Sequence, residues 1–322
     1  MSDPSAFVVS AAESGQTLAA VARARGVATT WSQVRRLIER GKLFVDGACI
    51  TSDAFRLAAG ARIELRAAAR VPRPELPGAL VYDDSQIVII DKPAGLSSVP
   101  YDEKETETAM DLIRAHWRRR GLPATTTPLH IVHRIDKETS GLLLFAKTKT
   151  AERFLQARLR QHDLERSYLC VAHGEVEDRR IESRLIDDRG DGLRGSTRNP
   201  ALGKRAVTHV QVRERLIGAT LCEVRLETGK THQIRIHLAE DGHPLVGEKV
   251  YIRDYVFKGN TPIAASRLLL HAATLGLVHP ETGEELRFER TPPEEFLEQV
   301  ARLRRGSARV NPSPRDPKGA RE

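Results

Sequence analysis

The 322-residue sequence contains few cysteines, few aromatic residues and no long apolar run. Its three cysteines, Cys49, Cys170 and Cys222, are too far apart for a Cys-x-x-Cys metal knuckle and too few for a disulfide framework. No apolar run reaches the roughly 18–20 residues of a membrane-spanning helix, and residues 1–12 lack the pattern of a signal peptide. We therefore expect a folded protein of the reducing cytoplasm that makes no contact with a membrane.

Positive charge is in excess and is concentrated at the two ends of the chain. The sequence has 51 Lys and Arg against 43 Asp and Glu, a net charge of +8. Residues 11–67 carry +4 and residues 302–322 carry +5, which leaves the rest of the chain at −1. This distribution favours a polyanionic partner, most simply a nucleic acid, although some basic proteins have none.

The first basic segment, residues 11–67, has the pattern of a small α+β domain. Apolar spacing and turn residues predict, in order, helices over residues 17–25 and 30–39 and strands over residues 43–45 and 62–66. Thr30 is a suitable N-cap for the second helix, and Gly41 is a suitable end.

Four basic side chains follow the second helix and its exit, away from its apolar face: Arg35, Arg36, Arg40 and Lys42. Most such runs are ordinary solvated surface, but a phosphate-binding surface is the alternative because only Glu39 interrupts this one. The helix pair, the stretch 33–38 and the turn 41–47 resemble the RNA-binding domain first described in the ribosomal S-four protein (the alpha-L motif). That resemblance implies an RNA-binding module.

The rest of the chain divides into a linker, a large domain and a tail. Prolines at positions 72, 74 and 77 indicate a semi-rigid linker over residues 68–79. Residues 80–301 alternate irregularly between strand and helix patterns, which predicts a mixed α+β domain with a largely antiparallel sheet rather than βαβ repeats. Residues 302–322, rich in Arg, Pro, Ser and Gly, are predicted to be a basic disordered tail.

A polar loop that runs directly into an apolar strand is the most informative segment, residues 130–145. Asp136 lies in this loop between Arg134 and Lys137, so it would stay ionised and could act as a nucleophile or stabilise a positive charge. A structural aspartate that caps a turn or pairs with a surface arginine is the alternative, and the residues alone favour it somewhat.

A second polar segment, residues 227–238, contains Gly229-Lys230-Thr231. A phosphate-binding P-loop needs glycine five positions before Gly229, where the sequence has Val224, so that interpretation fails. Thr231 could cap a helix that runs to about residue 241 and stops at Gly242, although the alternating apolar residues would also permit a strand. Arg235, near the start of such a helix, could project toward a carboxylate.

The histidine pairs His130/His133 and His232/His237 do not have the His-Glu-x-x-His context, so no metal site is predicted. Ser140 lacks the Gly-x-Ser-x-Gly elbow of serine hydrolases.

Taken together, these segments resemble the RluA-type RNA pseudouridine synthases. The stretch His133 to Leu143 resembles the family signature. The motif at 91–96 precedes it, and further motifs follow it in the family's order: Arg166-Ser167-Tyr168, 203–208, 228–238, 242–245, 270–272 and 279–284.

The resemblance implies isomerisation of uridine to pseudouridine in RNA without a cofactor or metal. It implies that Asp136 is the catalytic aspartate, that Tyr168 stacks near the base and takes part in proton transfer, and that Arg235 pairs with Asp136. Arg134 would displace the target uridine from its helix, and Lys204, in the 203–208 motif, is a candidate RNA contact.

The departures from the family pattern are Ser98, where a histidine is frequent, Glu248, where an aspartate is usual, and Ile252 after Tyr251, where a glycine is usual. We expect them to affect substrate contacts and not the catalytic residues. The expected partner of this monomer is large-subunit ribosomal RNA, with transfer RNA second. A non-catalytic ribosome-assembly protein is the alternative from another class, and a DNA-binding protein would rest on charge alone.

Overall fold

The structure, a computed structural model, describes residues 6–50, 55–67, 79–100, 105, 107–122, 124 and 126–305. The chain divides into two compact units, residues 1–77 and 78–322. The division lies within the predicted linker, of which residues 68–78 are outside the described part of the chain.

The first unit packs two helices on a small sheet. Its elements are β1 (Ala6–Val8), a 3-10 turn (Ala11–Glu13), α1 (Leu18–Ala24), α2 (Trp31–Glu39), β2 (Leu43–Val45), β3 (Ala48–Cys49) and β4 (Arg62–Leu65). The side chain of Thr30 accepts the Gln33 N–H, which confirms it as the α2 cap. Strand β1 pairs with β4 but precedes the predicted domain bounds of 11–67. The sequence did not predict this strand because three residues are too few to show a periodic pattern.

The second unit is built on a large sheet flanked by helices. Its elements are β5 (Leu80–Asp83), β6 (Ile87–Lys92), α3 (Ala109–Arg119), β7 (His130–Ile131), β8 (Ser140–Ala146), α4 (Lys149–Arg160), β9 (Glu165–His173), β10 (Arg179–Ile186), β11 (Gly195–Thr197), β12 (Lys204–Leu216), β13 (Ala219–Leu226), α5 (Gln233–Glu240), α6 (Arg253–Phe257), β14 (Leu270–Val278), β15 (Glu285–Glu289) and α7 (Glu294–Arg305).

The described strands of this sheet follow the order β11-β10-β12-β13-β9-β14-β8-β6-β5, with β15 on β14 and β7 on β8. Strands β8 and β14 pair in parallel, and the other described pairs are antiparallel. The predicted α+β class with a mixed, largely antiparallel sheet is confirmed.

Strands β6 and β8 carry continuous apolar runs because both of their faces are buried. Val88, Ile90, Leu143 and Phe145 belong to the core on the α3 side, which includes Trp117. The alternate residues of the same strands pack with Leu155 of α4. A strand covered on both faces loses the apolar–polar alternation of a half-exposed one.

The C-terminal part departs from the sequence prediction. Helix α7 runs to Arg305, so residues 302–305 are not the start of a disordered tail. The Leu303 carbonyl accepts the Ile217 N–H, and Arg304 pairs with Glu214 on β12, which fixes the last helical turn to the sheet. Residues 306–322 lie outside the described part. Within the described ranges, no helix is both long and apolar enough to cross a membrane.

Candidate active site

A cavity of about 1590 Å³ opens in the second unit at the loop that carries Asp136. Its wall includes residues 129–137 and Thr139 around that loop, Arg166 and Tyr168 on β9, and residues 226–234 before and within the start of α5. The two polar segments of the sequence analysis therefore face a common space, although about ninety residues separate them in the chain.

The backbone of the Asp136 loop is held by buried side chains. The Ser98 hydroxyl donates to the Ile135 carbonyl (2.7 Å) and accepts the Ile135 N–H (3.2 Å). Lys92, fully buried, donates to the carbonyls of Pro93 (2.9 Å), Leu96 (2.7 Å) and Lys137 (3.1 Å). Three carbonyls match the three N–H groups of an ammonium, although burial lowers the pKa of Lys92 to about 7. Both residues adjoining Asp136 are thereby fixed.

Gly141 allows the strand after the loop to approach its parallel neighbour closely. Its φ is +110°, and a Cβ at this position would lie 2.2 Å from the Ala272 carbonyl oxygen on β14. No other residue can occupy the position without moving β8 or β14, so this glycine determines where the loop is anchored.

Arg235 connects Asp136 to a second carboxylate, Glu248. The Arg235 Nη1 lies 3.7 Å from the Asp136 Oδ2, while its Nε and Nη2 each donate to Glu248 at 2.7 Å. The side chains of Arg235 and Glu248 are buried, and 21% of the Asp136 side chain is exposed. The bidentate pair holds the guanidinium plane, and its remaining edge faces Asp136.

Glu248, which the sequence analysis connected only with substrate contacts, is a second buried carboxylate of this site. Besides Arg235, its Oε1 accepts the backbone N–H groups of Lys249, Val250 and Tyr251. Burial acts to raise the pKa of Glu248, but the hydrogen bonds and charge of Arg235 outweigh it, and the pKa lies below its ordinary value. The expectation that the departures from the family pattern do not touch the candidate catalytic residues is wrong for Glu248, which pairs with Arg235. Ser98 bonds Ile135, the residue before Asp136.

Tyr168 reaches the cavity from the central strand β9 and is 6% exposed. Burial is the main reason that its pKa lies above the ordinary value, and the Asp136 charge adds to the effect while Arg166 opposes it. The phenol therefore keeps its proton at neutral pH and can donate a hydrogen bond, but it is a poor base.

Helix α5 confirms the helical prediction for the segment around Arg235, but not its predicted cap. The N-cap is His232, in the left-handed conformation at φ 57°, in place of Thr231. The His232 Nδ1 lies 2.7 Å from the Tyr251 hydroxyl. The buried Gln233 amide donates to the Val207 carbonyl and accepts the Lys230 N–H, so a side-chain network replaces a conventional cap.

The structure brings some predicted residues together and leaves others apart. Arg134 is exposed and lines the cavity close to Asp136. Lys204, exposed at the start of β12, is not among the described residues of the cavity wall. Arg35, Arg36 and Arg40 are exposed on the first unit, with Lys42 half-buried. No group of three or more His, Cys, Asp or Glu in the described part of the chain could hold a metal ion.

Comparison with known proteins identifies the family. The family model described as RNA pseudouridylate synthase matches residues 86–240. A Bacillus subtilis (strain 168) protein named uncharacterized RNA pseudouridine synthase YlyB is 34% identical over 290 residues, 85% of this chain and 90% of that protein. Ribosomal large subunit pseudouridine synthase D of Vibrio cholerae is 33% identical over 285 residues, 85% of this chain and 86% of its own length.

A solved structure supports the fold. The human protein named RNA Pseudouridylate Synthase Domain Containing 4 superposes with a TM-score of 0.54 at 23% identity, covering 70% of this chain and 92% of that one. The stretch matched by the family model includes the Asp136 loop, Tyr168 and Arg235, which meet at or beside the cavity. The chain belongs to the RluA-type family of RNA pseudouridine synthases, which are isomerases.

Proposed function

We propose that this protein converts uridine to pseudouridine in large-subunit ribosomal RNA, with Asp136 as its catalytic carboxylate. The relative of 33% identity from Vibrio cholerae is named for action on the ribosomal large subunit. One observation carries the proposal. Asp136 lies in the wall of an open cavity and contacts the buried Arg235, whose other edge is held by Glu248.

The reaction exchanges no atoms or electrons with a third molecule. The N1–C1′ bond breaks, the uracil turns, C5 bonds to C1′, the C5 proton leaves and N1 takes up a proton. The Asp136 side chain, 3.7 Å from the Arg235 guanidinium, either attacks the nucleotide or stabilises positive charge at C1′. The turn of the base requires that the nucleotide leave its stack, which costs a few kcal/mol.

Tyr168 is proposed to hold the base and donate a hydrogen bond. Its raised pKa argues against the phenol as the acceptor of the C5 proton, so water in the cavity is the better candidate for that step. Arg134, exposed in the same wall, is proposed to take the place of the extruded uridine in the RNA stack.

The first unit is proposed to be an S-four-type RNA-binding domain. Its support is the capped α2, with Arg35 and Arg36 exposed on it and Arg40 exposed at its end, followed by residues 41–47, which contain β2 and the turn into β3. Exposed basic residues on one helix can bind phosphates without reading sequence, so this unit would supply affinity and the second unit chemistry. Lys204 is proposed as an additional RNA contact.

Mapping of pseudouridines tests this function directly. Total RNA from cells with and without the gene would be treated with carbodiimide, and reverse-transcription stops would be compared at every uridine. We expect at least one stop in large-subunit ribosomal RNA to disappear when the gene is deleted. The stop should return when the wild-type gene is restored, and should not return with the Asp136→Asn gene. If stops were lost only in transfer RNA, the substrate would be transfer RNA and not ribosomal RNA. If no stop were lost in any RNA, the proposed pseudouridine synthase function would be contradicted.

A further inference from the structure

Arg166, two residues before Tyr168 on β9, is a buried arginine to which the described part of the chain offers no partner. It is 7% exposed and lines the cavity. Its side chain forms no ion pair or hydrogen bond with the residues that the structure describes, and its buried Nε has no acceptor among them. Arg235, similarly buried, has two carboxylate partners. Buried polar groups are normally satisfied, and an unsatisfied cation in a cavity wall marks a place that a ligand completes.

The carboxylates around the cavity do not neutralise Arg166, because each already has a cationic partner. Four of them line the wall: Glu105 pairs with Lys137, Asp136 with Arg235, Glu152 with Lys149, and Glu227 with Arg180 and Arg205. The guanidinium of Arg166 lies against Gly229, which also lines the cavity, and a Cβ there would come within 2.8 Å of its Nη1. The absence of a side chain at position 229 leaves room for the arginine.

A neighbouring histidine points to the same ligand chemistry. The Nε2 of His133 accepts the Leu144 N–H, so the neutral ring carries its proton on Nδ1, which is buried without an acceptor among the described residues. Burial, and then the charge of Arg166, lowers the pKa of His133 to about 3, so the ring stays neutral. Arg166 and His133 thus present unsatisfied donors in the cavity wall, where an anionic acceptor fits best.

We propose that Arg166 binds a backbone phosphate of the RNA strand beside the nucleotide that enters the cavity. Strand alternation puts positions 166 and 168 on the same face of β9, about 6.6–6.8 Å apart along the strand. A nucleotide that stacks on Tyr168 therefore brings its own flanking phosphate toward Arg166. This inference rests on the proposed function and adds to it a residue that recognises the backbone within the active site.

The test measures binding of the full-length protein to an RNA hairpin that contains the mapped uridine, over a series of salt concentrations. Removal of one phosphate-binding cation should reduce the slope of log K against log salt by about 0.7 to 0.9. We expect Arg166→Gln to bind roughly tenfold more weakly with a shallower slope, and Arg166→Lys to keep most of the slope. Arg213→Gln, which removes an exposed arginine paired with Glu223 outside the cavity wall, should leave affinity and slope unchanged.

A second measurement pairs the protein change with a neutral methylphosphonate at each phosphate next to the uridine. One such substitution should weaken RNA binding by the wild-type protein and leave RNA binding by Arg166→Gln unchanged. Equal losses in both proteins at every position, or an unchanged salt slope, would overturn the proposal. Gly229→Ala, which displaces the guanidinium and retains its charge, gives an independent variant if Arg166→Gln does not fold. Pseudouridine formation in the same samples separates the outcomes, because a wild-type protein without turnover contradicts the proposed function instead.

Discussion

Two charged regions of this molecule differ in how their charges are held. In the second unit, Asp136, Arg235 and Glu248 form a cluster in which the arginine and the glutamate are buried and bonded in one geometry. On α2 of the first unit and at its C-terminal end, Arg36 and Arg40 are exposed to solvent. Fixed, desolvated charges act strongly on a reacting group, whereas solvated charges act over a distance and are screened by salt. The first arrangement suits control of rate and the second suits control of affinity.

The largest effect should come from removal of the carboxylate charge that faces the cavity. We expect Asp136→Asn to lower kcat by roughly 10⁴-fold or more, because the amide can neither attack the nucleotide nor stabilise positive charge. The amide has nearly the same shape, so RNA affinity should stay within about twofold. Tritium release from [5-³H]uridine RNA measures turnover, and filter binding measures affinity. Near-normal turnover by a correctly folded variant would remove Asp136 from the chemistry.

The next effect should come from the residue that holds Arg235. Glu248→Gln leaves Arg235 with only Asp136 as a charged partner, and we expect a loss of about 3 kcal/mol in unfolding free energy. A displacement of Arg235 should also lower kcat by roughly 10²-fold. Glu214→Gln is the matched control, because Glu214 also accepts two hydrogen bonds from an arginine, Arg304, but at the surface. Its cost should stay below about 1 kcal/mol.

The difference in unfolding free energy between wild type and Glu248→Gln should change with pH in one direction. The folded-state pKa of Glu248 lies below the ordinary value of 4.5, so its stabilising contribution is complete above about pH 4.5 and is lost as the pH falls through the folded pKa. The stability difference between wild type and Glu248→Gln should be constant from pH 6 to 8 and should shrink in acid. Urea unfolding at pH 7 and pH 4 measures it, and a difference that grows in acid would contradict the assignment.

The buried cluster also shows how much the sequence could predict. Asp136 and Arg235 were identifiable because a polar loop before an apolar strand and a family motif mark them. Glu248 was visible only as a departure from that motif, because its partner depends on a long-range contact. The chain passes close to Arg267 at Gly247, where a Cβ would lie 2.0 Å from the Arg267 carbonyl oxygen, and this approach places Glu248. Such long-range contacts leave no local periodicity. Helix α2, by contrast, has its cap and apolar face within ten residues, and the structure confirms its predicted start.

The exposed region should respond in affinity alone. We expect Arg36→Gln combined with Arg40→Gln to weaken RNA binding by about three- to tenfold at low salt and to reduce the salt slope by about one to two. The loss of affinity should decrease as salt is raised, and kcat at saturating RNA should stay unchanged. Arg62→Gln is the control in the same unit, since Arg62 is paired with Glu64. If the double variant lowered kcat as much as Glu248→Gln does, the conclusion that the exposed arginines control affinity and the buried cluster controls rate would be wrong.

The smallest effect should come from the C-terminal end, and it depends on where the chain is cut. Residues 306–322 carry four basic and two acidic side chains, so their removal takes away a net charge of +2. We expect less than about a threefold loss of RNA affinity at low salt, with the same uridine modified and an unchanged melting temperature. A cut before Arg302 also removes the last turn of α7, with the Leu303 backbone bond to Ile217 and the Arg304 pair with Glu214. That shorter protein should melt several degrees lower. Equal melting temperatures would mean that the last turn of α7 adds no stability, and a changed modification site would show that residues 306–322 direct substrate choice.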